Sequence, residues 1–214
     1  MQEEGVIKFN LRFTRHTPVS LESFTDLNRW RGLLWQQALI GQDPARYGGY
    51  GFGNVSQRLP QSPEPDSRRA FLVSGSQTGE LPELRDEHYA VVTACDPANN
   101  RIEARGPIRP SSESLTHGIV YDQSNDIRVV LHVHSPDIWS AAARLGLPVT
   151  AASVAYGTPA MALEVERLFR ETDVRGQGIF SMGGHEDGIV AFGKTADEAG
   201  SCLTRTLSLC LDKN

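Results

Sequence analysis

Between positions 21 and 40 apolar residues recur at roughly helical spacing, at Leu21, Phe24, Leu27, Trp30, Leu34 and Trp35, and the run stops at Gly41. The periodicity predicts an amphipathic helix over 21–40 with glycine as its terminator. Shorter apolar runs at 70–73, 89–94 and 101–104 predict strands, and Asp96-Pro97-Ala98-Asn99-Asn100 supplies a turn that makes the last two antiparallel. After residue 110 the pattern changes. It predicts a helix over 112–124, a strand over 127–134, helices over 137–145 and 159–171, strands over 178–183 and 188–192, and a final helix over 195–211. Thr195 and Glu198 fit a capping box at the start of that helix. Helices covering a sheet, with no internal repeat or low-complexity tract, predict an α/β fold.

Two stretches break the pattern. Gly48-Gly49-Tyr50-Gly51-Phe52-Gly53-Asn54-Val55-Ser56 is a glycine-rich passage that permits close approach of the backbone to a ligand, or else forms a plain loop. Residues 60–67, rich in proline and serine, read as an exposed connection between strands, because no shift of composition accompanies them. The chain of 214 residues suits one domain over 1–214.

Composition narrows the function. With 21 basic and 26 acidic residues the net charge is −5, and no basic cluster carries interleaved aromatics, which argues against nucleic acid as a partner. No apolar run approaches the roughly 18 residues needed to span a bilayer, so no membrane association is expected. The start Met1-Gln2-Glu3-Glu4 is acidic where a secretory signal would be basic, and the expected location is the cytoplasm. Cys95, Cys202 and Cys210 lie in apolar surroundings without a C-x-x-C spacing and read as buried thiols.

The chemistry concentrates in a few places. Arg128-Val129-Val130-Leu131-His132-Val133-His134-Ser135-Pro136 reads as a buried strand, and side chains two apart on a strand share a face, so His132 and His134 point the same way at its C-terminal end. The pair could hold a metal or simply hydrogen-bond to neighbours. A third histidine, His185, sits in the tight turn Gly183-Gly184-His185-Glu186-Asp187-Gly188, where it is either a surface residue or a further ligand. Three neutral imidazoles with an open coordination position form the arrangement used by catalytic zinc and related divalent ions. Pro110-Ser111-Ser112-Glu113-Ser114-Leu115-Thr116-His117 leads into a helix, where Ser111 or Ser112 could cap the helix or hold a phosphate or carboxylate. On local grounds Glu113 complements the helix dipole and pairs with His117 one turn later. His16 and His88 read as ordinary surface or core residues, and Tyr121 is left open.

Taken in order, Gly53-Asn54-Val55-Ser56, Ser74-Gly75, Ser111-Ser112-Glu113 with His117, the pair His132 and His134, and the late His185 before Gly188-Ile189-Val190 resemble the class II aldolase/adducin family over about residues 20–211. The resemblance extends in particular to its fuculose-phosphate and ribulose-phosphate members. It implies a three-layer α/β/α sandwich around a mainly antiparallel sheet, assembled as a homotetramer with sites near subunit interfaces. It further implies that His132, His134 and His185 hold a divalent ion, first of all Zn2+, with Mn2+, Fe2+, Co2+ or Ni2+ as alternatives. Glu113 would be the acid/base residue, and Gly53, Asn54, Ser74, Gly75, Ser111 and Ser112 would surround the substrate.

The expected activity is therefore a metal-dependent aldolase-type carbon–carbon lyase acting through an enediolate on a small hydroxy-carbonyl compound, phosphorylated or not. Epimerisation or dehydration at the same site is the alternative within enzymes, and a non-catalytic adducin-like assembly module is the alternative outside them. Two departures weigh on the aldolase reading. No tyrosine follows Tyr156, where the sugar-phosphate aldolases use a C-terminal one, and Ser74-Gly75-Ser76-Gln77-Thr78-Gly79 contains no lysine or arginine to meet a phosphate.

Overall fold

The computed structural model describes residues 6–59 and 70–211, so the connection read at 60–67 lies outside the described residues. Its strands are β1 (Asn10–Arg15), β2 (Gly41–Gln42), β3 (Gly51–Phe52), β4 (Asn54–Arg58), β5 (Phe71–Ser74), β6 (Tyr89–Asp96), β7 (Arg101–Gly106), β8 (Val129–His134), β9 (Ile179–Ser181) and β10 (Gly188–Gly193). Its helices are α1 (Thr25–Gln36), α2 (Ser114–Asp122), α3 (Pro136–Ala141), α4 (Pro159–Glu171), α5 (Val174–Gln177) and α6 (Ala196–Leu211). Eight strands form one sheet in the order β1-β7-β6-β5-β4-β8-β10-β9, while β2 and β3 make a separate ribbon. Every pairing in the large sheet is antiparallel except β1 with β7.

Strand alternation sorts the core into two layers. On one face Val55, Leu72, Val91, Val129, Leu131, Val133 and Ile189 pack against Leu27 and Leu34 of α1, Ile138 of α3 and Leu203 of α6. On the other, Phe71, Val73, Val92, Val130 and Val190 pack against Leu115 and Ile119 of α2 and Met161, Val165 and Leu168 of α4. The result is the expected α/β/α sandwich. Because Val129, Leu131 and Val133 take the first face, His132 and His134 fall on the second, under α2 and α4.

Several boundaries differ from the sequence reading. Residues 21–24 form a 3₁₀ turn, and the helix ends at Gln36 rather than at Gly41. The chain reverses at Ala38, which adopts a left-handed φ of 55° and lets Leu39 N–H reach Leu34 O at 3.0 Å, so Gly41 is free to pair with Phe52 in the ribbon. Glu198 N–H does bond Thr195 Oγ1 at 3.1 Å, but the Glu198 carboxylate reaches back to Lys194 N rather than Thr195 N. The glycine-rich passage is not all loop: its last residues begin β4, in the middle of the sheet. Strand β1 went unread, its signal being the single short alternation of half-buried Leu11 and Phe13 with polar residues. Among the described residues no helix is long and apolar enough to cross a membrane.

Candidate active site

Strand β8 is paired on both sides, His132 lying opposite Asn54 of β4 and Val190 of β10, and His134 opposite Gly188. That pairing fixes both imidazoles at the end of the strand. The His132 ring is held further: Nδ1 lies 3.2 Å from Ile189 O, and because a carbonyl only accepts, Nδ1 carries the hydrogen. Nε2 of His132 is left with its lone pair, fully buried and with no hydrogen-bond partner among the described residues.

His185 reaches the same point from the β9–β10 turn. The turn is closed by His185 N–H to Met182 O at 3.0 Å and Gly188 N–H to His185 O at 2.9 Å. Its glycines allow dense packing, a Cβ on Gly184 standing only 2.0 Å from Val154 O. The three imidazoles then meet, with ring centroids 5.0 Å apart for His132–His134, 5.1 Å for His132–His185 and 4.8 Å for His134–His185. One ligating nitrogen from each lies within 4.8 Å of the others. Burial, then the neighbouring histidines, holds the proton affinities of His132 and His134 well below the usual imidazole range, so both rings are neutral lone-pair donors at neutral pH. Three converging imidazoles, those of His132 and His134 neutral and the former with a buried orphan nitrogen, fit a divalent ion.

Glu113 is delivered by the turn before α2. Ser111 Oγ accepts from Glu113 N–H at 3.2 Å, and Ser114 Oγ donates to Ser111 O at 2.7 Å, so the helix proper begins at Ser114 rather than 112. The Glu113 carboxylate, buried, has Oε1 3.6 Å from His185 Nδ1. Its expected pairing with His117 is overturned: His117 Nδ1 bonds Ser56 Oγ at 2.6 Å, which also bonds Tyr121 Oη at 2.7 Å. Burial lowers the His117 pKa to about 3, so this tie between α2 and β4 is made by a neutral ring. Tyr121 is thus a buried member of that tie, while His16 is exposed and His88 merely accepts from Arg85 N–H through Nδ1.

Beside the histidines, Gly53, Asn54, Gly75, Ser111 and Ser112 line one narrow cavity together with Gly51 and residues 76–79. Of the six residues expected around substrate, Ser74 stands apart, its Oγ accepting Val55 N–H at 3.1 Å and so stitching β5 to β4. Gly53 is required by the backbone, with φ +75° and a Cβ position 2.7 Å from the Ile40 side chain. Buried Arg31 of α1 braces the far wall through bonds to Thr78 O at 2.8 Å, Pro82 O at 3.1 Å and Leu81 O.

Sequence reasoning missed four neighbours of the histidines. Tyr156 stacks on His185 at 4.5 Å with 26° between the planes, and Lys8 Nζ lies 3.4 Å from the centroid of the Tyr156 ring. Tyr47 meets His134 edge-on at 4.5 Å and donates its hydroxyl to Asp187 Oδ2 at 2.6 Å. Arg46 completes that group, 3.5 Å from Asp187. Arg46 and Tyr47 directly precede the glycine-rich passage, but no local pattern in the sequence marks any of the four as a neighbour of the histidines.

The profile of the family described as Class II Aldolase and Adducin N-terminal domain matches residues 45–210. The chain belongs to that family. Among curated members with which this class II aldolase/adducin chain aligns, methylthioribulose-1-phosphate dehydratase of Gluconacetobacter diazotrophicus is 35% identical over 108 residues, 50% of this chain and 46% of the relative. The protein of the same name from Bacillus pumilus is 32% identical over 109 residues, 51% and 46% of the respective chains. The matched segment thus spans about half the length of the curated relatives. Among solved structures, l-fuculose-1-phosphate aldolase from Thermus thermophilus superposes with a TM-score of 0.60 at 20% identity, covering 88% of this chain and 90% of the other. A sugar-phosphate aldolase from Thermotoga maritima gives 0.64 at 15% identity, covering 90% and 97%. Similarities at that identity establish the fold.

Proposed function

We propose that this chain is a divalent-metal-dependent lyase that removes water from a small polyhydroxylated carbonyl compound. The observation that carries the reading is the convergence of His132, His134 and His185 with the Glu113 carboxylate 3.6 Å from one of them. The dehydratase names of relatives at 32–35% identity favour water elimination over the carbon–carbon cleavage expected from sequence. A complete histidine set with a buried carboxylate argues against a purely structural, adducin-like module.

His132, His134 and His185 would hold the ion, zinc first among the divalent metals. Bound there, it would act as a Lewis acid that polarises the substrate carbonyl. The rest falls to the chain. Glu113 takes the proton from the carbon next to the carbonyl, and the C–H electron pair moves into the carbonyl system. As the carbonyl re-forms, that pair makes a new C=C bond and the hydroxyl on the following carbon leaves. Glu113 returns its proton to the departing hydroxyl, so one water is lost and the carboxylate is regenerated. The burial of Glu113 would keep bulk water from competing for that proton.

Ser111, Ser112, Asn54 and the adjacent backbone would orient the substrate's polar tail in the narrow cavity. A soluble cytoplasmic enzyme acting as a homo-oligomer is the setting this reading assumes. Incubation of the zinc- or manganese-loaded protein with 5-methylthioribulose 1-phosphate and with fuculose 1-phosphate, followed by NMR and mass spectrometry, tests it. A product lighter by one water supports dehydration, two shorter carbonyl fragments would assign carbon–carbon cleavage instead, and no turnover of either class would count against both.

A further inference from the structure

The loop before the glycine-rich passage contributes a group that the family motifs leave unused. Tyr47 Oη donates to Asp187 Oδ2 at 2.6 Å, Arg46 donates to the same phenol oxygen, and Arg46 lies 3.5 Å from the Asp187 carboxylate. These bonds join residues 140 positions apart, connecting the 43–50 loop to the turn that presents His185. Asp187 is also bound to the other side of the site, its carbonyl accepting from Ser135 N–H at 2.8 Å next to His134.

The rings of the loop enclose His134 itself. Tyr47 meets it edge-on at 4.5 Å, Phe52 lies 5.4 Å away, and Tyr47 and Phe52 are 5.1 Å apart, with the Arg46 guanidinium 4.8 Å and 5.0 Å from those two ring centroids. Both ends of the clamp hold a left-handed backbone unusual for side chains other than glycine, φ 50° at Tyr47 and φ 60° at Asp187. Burial, then the Asp187 carboxylate, raises the Tyr47 pKa well above the usual phenol range, so the phenol stays protonated as the donor of this bond.

We infer that Tyr47, through its hydroxyl bond to Asp187, is a positioning residue that sets His134 and His185 at the spacing a divalent ion needs. Rotation of either imidazole would open the triad, and the clamp restrains both: one through ring contact, the other through the turn two residues away. Residues that orient ligands in this way commonly contribute 10- to 100-fold to metal affinity.

The inference rests on the metal reading, and the test separates the two. Cobalt(II) is titrated into metal-free wild type, Tyr47→Phe, Asp187→Gly and the double variant, with a competing chelator setting the affinity and the cobalt absorption bands reporting geometry. Tyr47→Phe keeps the ring and removes only the donor, and Asp187→Gly removes the acceptor while suiting the left-handed backbone. Thermal unfolding checks that each variant is folded, and Tyr50→Phe in the same exposed loop serves as control. The expected result is affinity reduced about tenfold in each single variant, altered cobalt bands, and a double variant no weaker than either single one. Wild-type affinity and bands in folded Tyr47→Phe would overturn the inference while leaving the metal site standing. No cobalt binding by wild type would overturn the metal reading and this inference with it.

Discussion

His132 donates its Nδ1 hydrogen to Ile189 O at 3.2 Å, across the pair of strands that forms the floor of the site. The bond does two things at once. It locks the ring against β10, and it assigns the tautomer, so that the lone pair must sit on Nε2, which has no partner among the described residues. A buried imidazole acceptor with nothing to accept costs free energy unless something fills it.

The neutral, buried state of His117 makes stability depend on pH. Its folded pKa of about 3 lies below the unfolded value near 6.5, so the unfolded chain binds the extra proton first as pH falls. Stability is therefore retained at neutral pH and lost as pH drops through about 6.5, by about 2 kcal/mol between pH 7 and pH 5 from this residue. Urea unfolding of chelator-treated wild type and His117→Gln at a series of pH values checks this. The variant should show the shallower decline below pH 6.5, and parallel curves would refute the assignment.

Replacing Glu113 by glutamine keeps the shape and removes the base. The expected effect is a fall in kcat of about 10²- to 10⁴-fold with metal content unchanged. Equal turnover in Glu113→Gln, measured on whichever substrate the wild type accepts, would remove Glu113 from the mechanism.

Arg31 supports the wall of the narrow cavity from behind. Burial lowers its pKa to about 10, yet it remains charged and satisfies the carbonyls of Thr78, Leu81 and Pro82. Arg31→Met should cost about 3 kcal/mol by stranding those carbonyls, and should loosen residues 78–82. Hydrogen exchange along that loop reads the second effect directly, and unchanged protection would show that the wall stands without Arg31.

Gly200 of α6 faces the Trp30 ring of α1 so closely that a Cβ would fall 2.2 Å from ring atoms. Alanine gains about 1 kcal/mol in helix propensity, but overpacking of this kind costs about 1–3 kcal/mol. Trp30 is also tied by Nε1 to Asp197 Oδ1 at 2.6 Å and has little room to yield. Gly200→Ala should therefore lower the melting temperature, and a raised one would mean that α1 shifts freely.

Periodicity carried much of the fold because most elements bury one face. The spacing in 159–171 and the apolar run in 127–134 correspond closely to α4 and β8. It failed at β4, whose one apolar residue is Val55 because Asn54, Ser56 and Arg58 are polar residues buried on the other face, and at β1, where only Leu11 and Phe13 mark a short, half-buried strand. His132 and His134 were legible as a pair because strand parity alone puts them on one face. The place of Glu113 came from the family resemblance alone: local helix logic favoured pairing with His117, which the long-range bond from Ser56 to His117 replaces. Tyr47 and Tyr156 could not be read at all, since their contacts with His134 and His185 bridge segments that share no local pattern.

The central claim is that three histidines hold a metal, and metal content tests it most directly. Wild type and His132→Ala/His134→Ala, purified without chelator, are compared by elemental analysis. The account predicts about one divalent ion per chain in wild type and none in the folded variant. Wild-type protein that holds no ion, even after reconstitution with zinc or manganese, would contradict it.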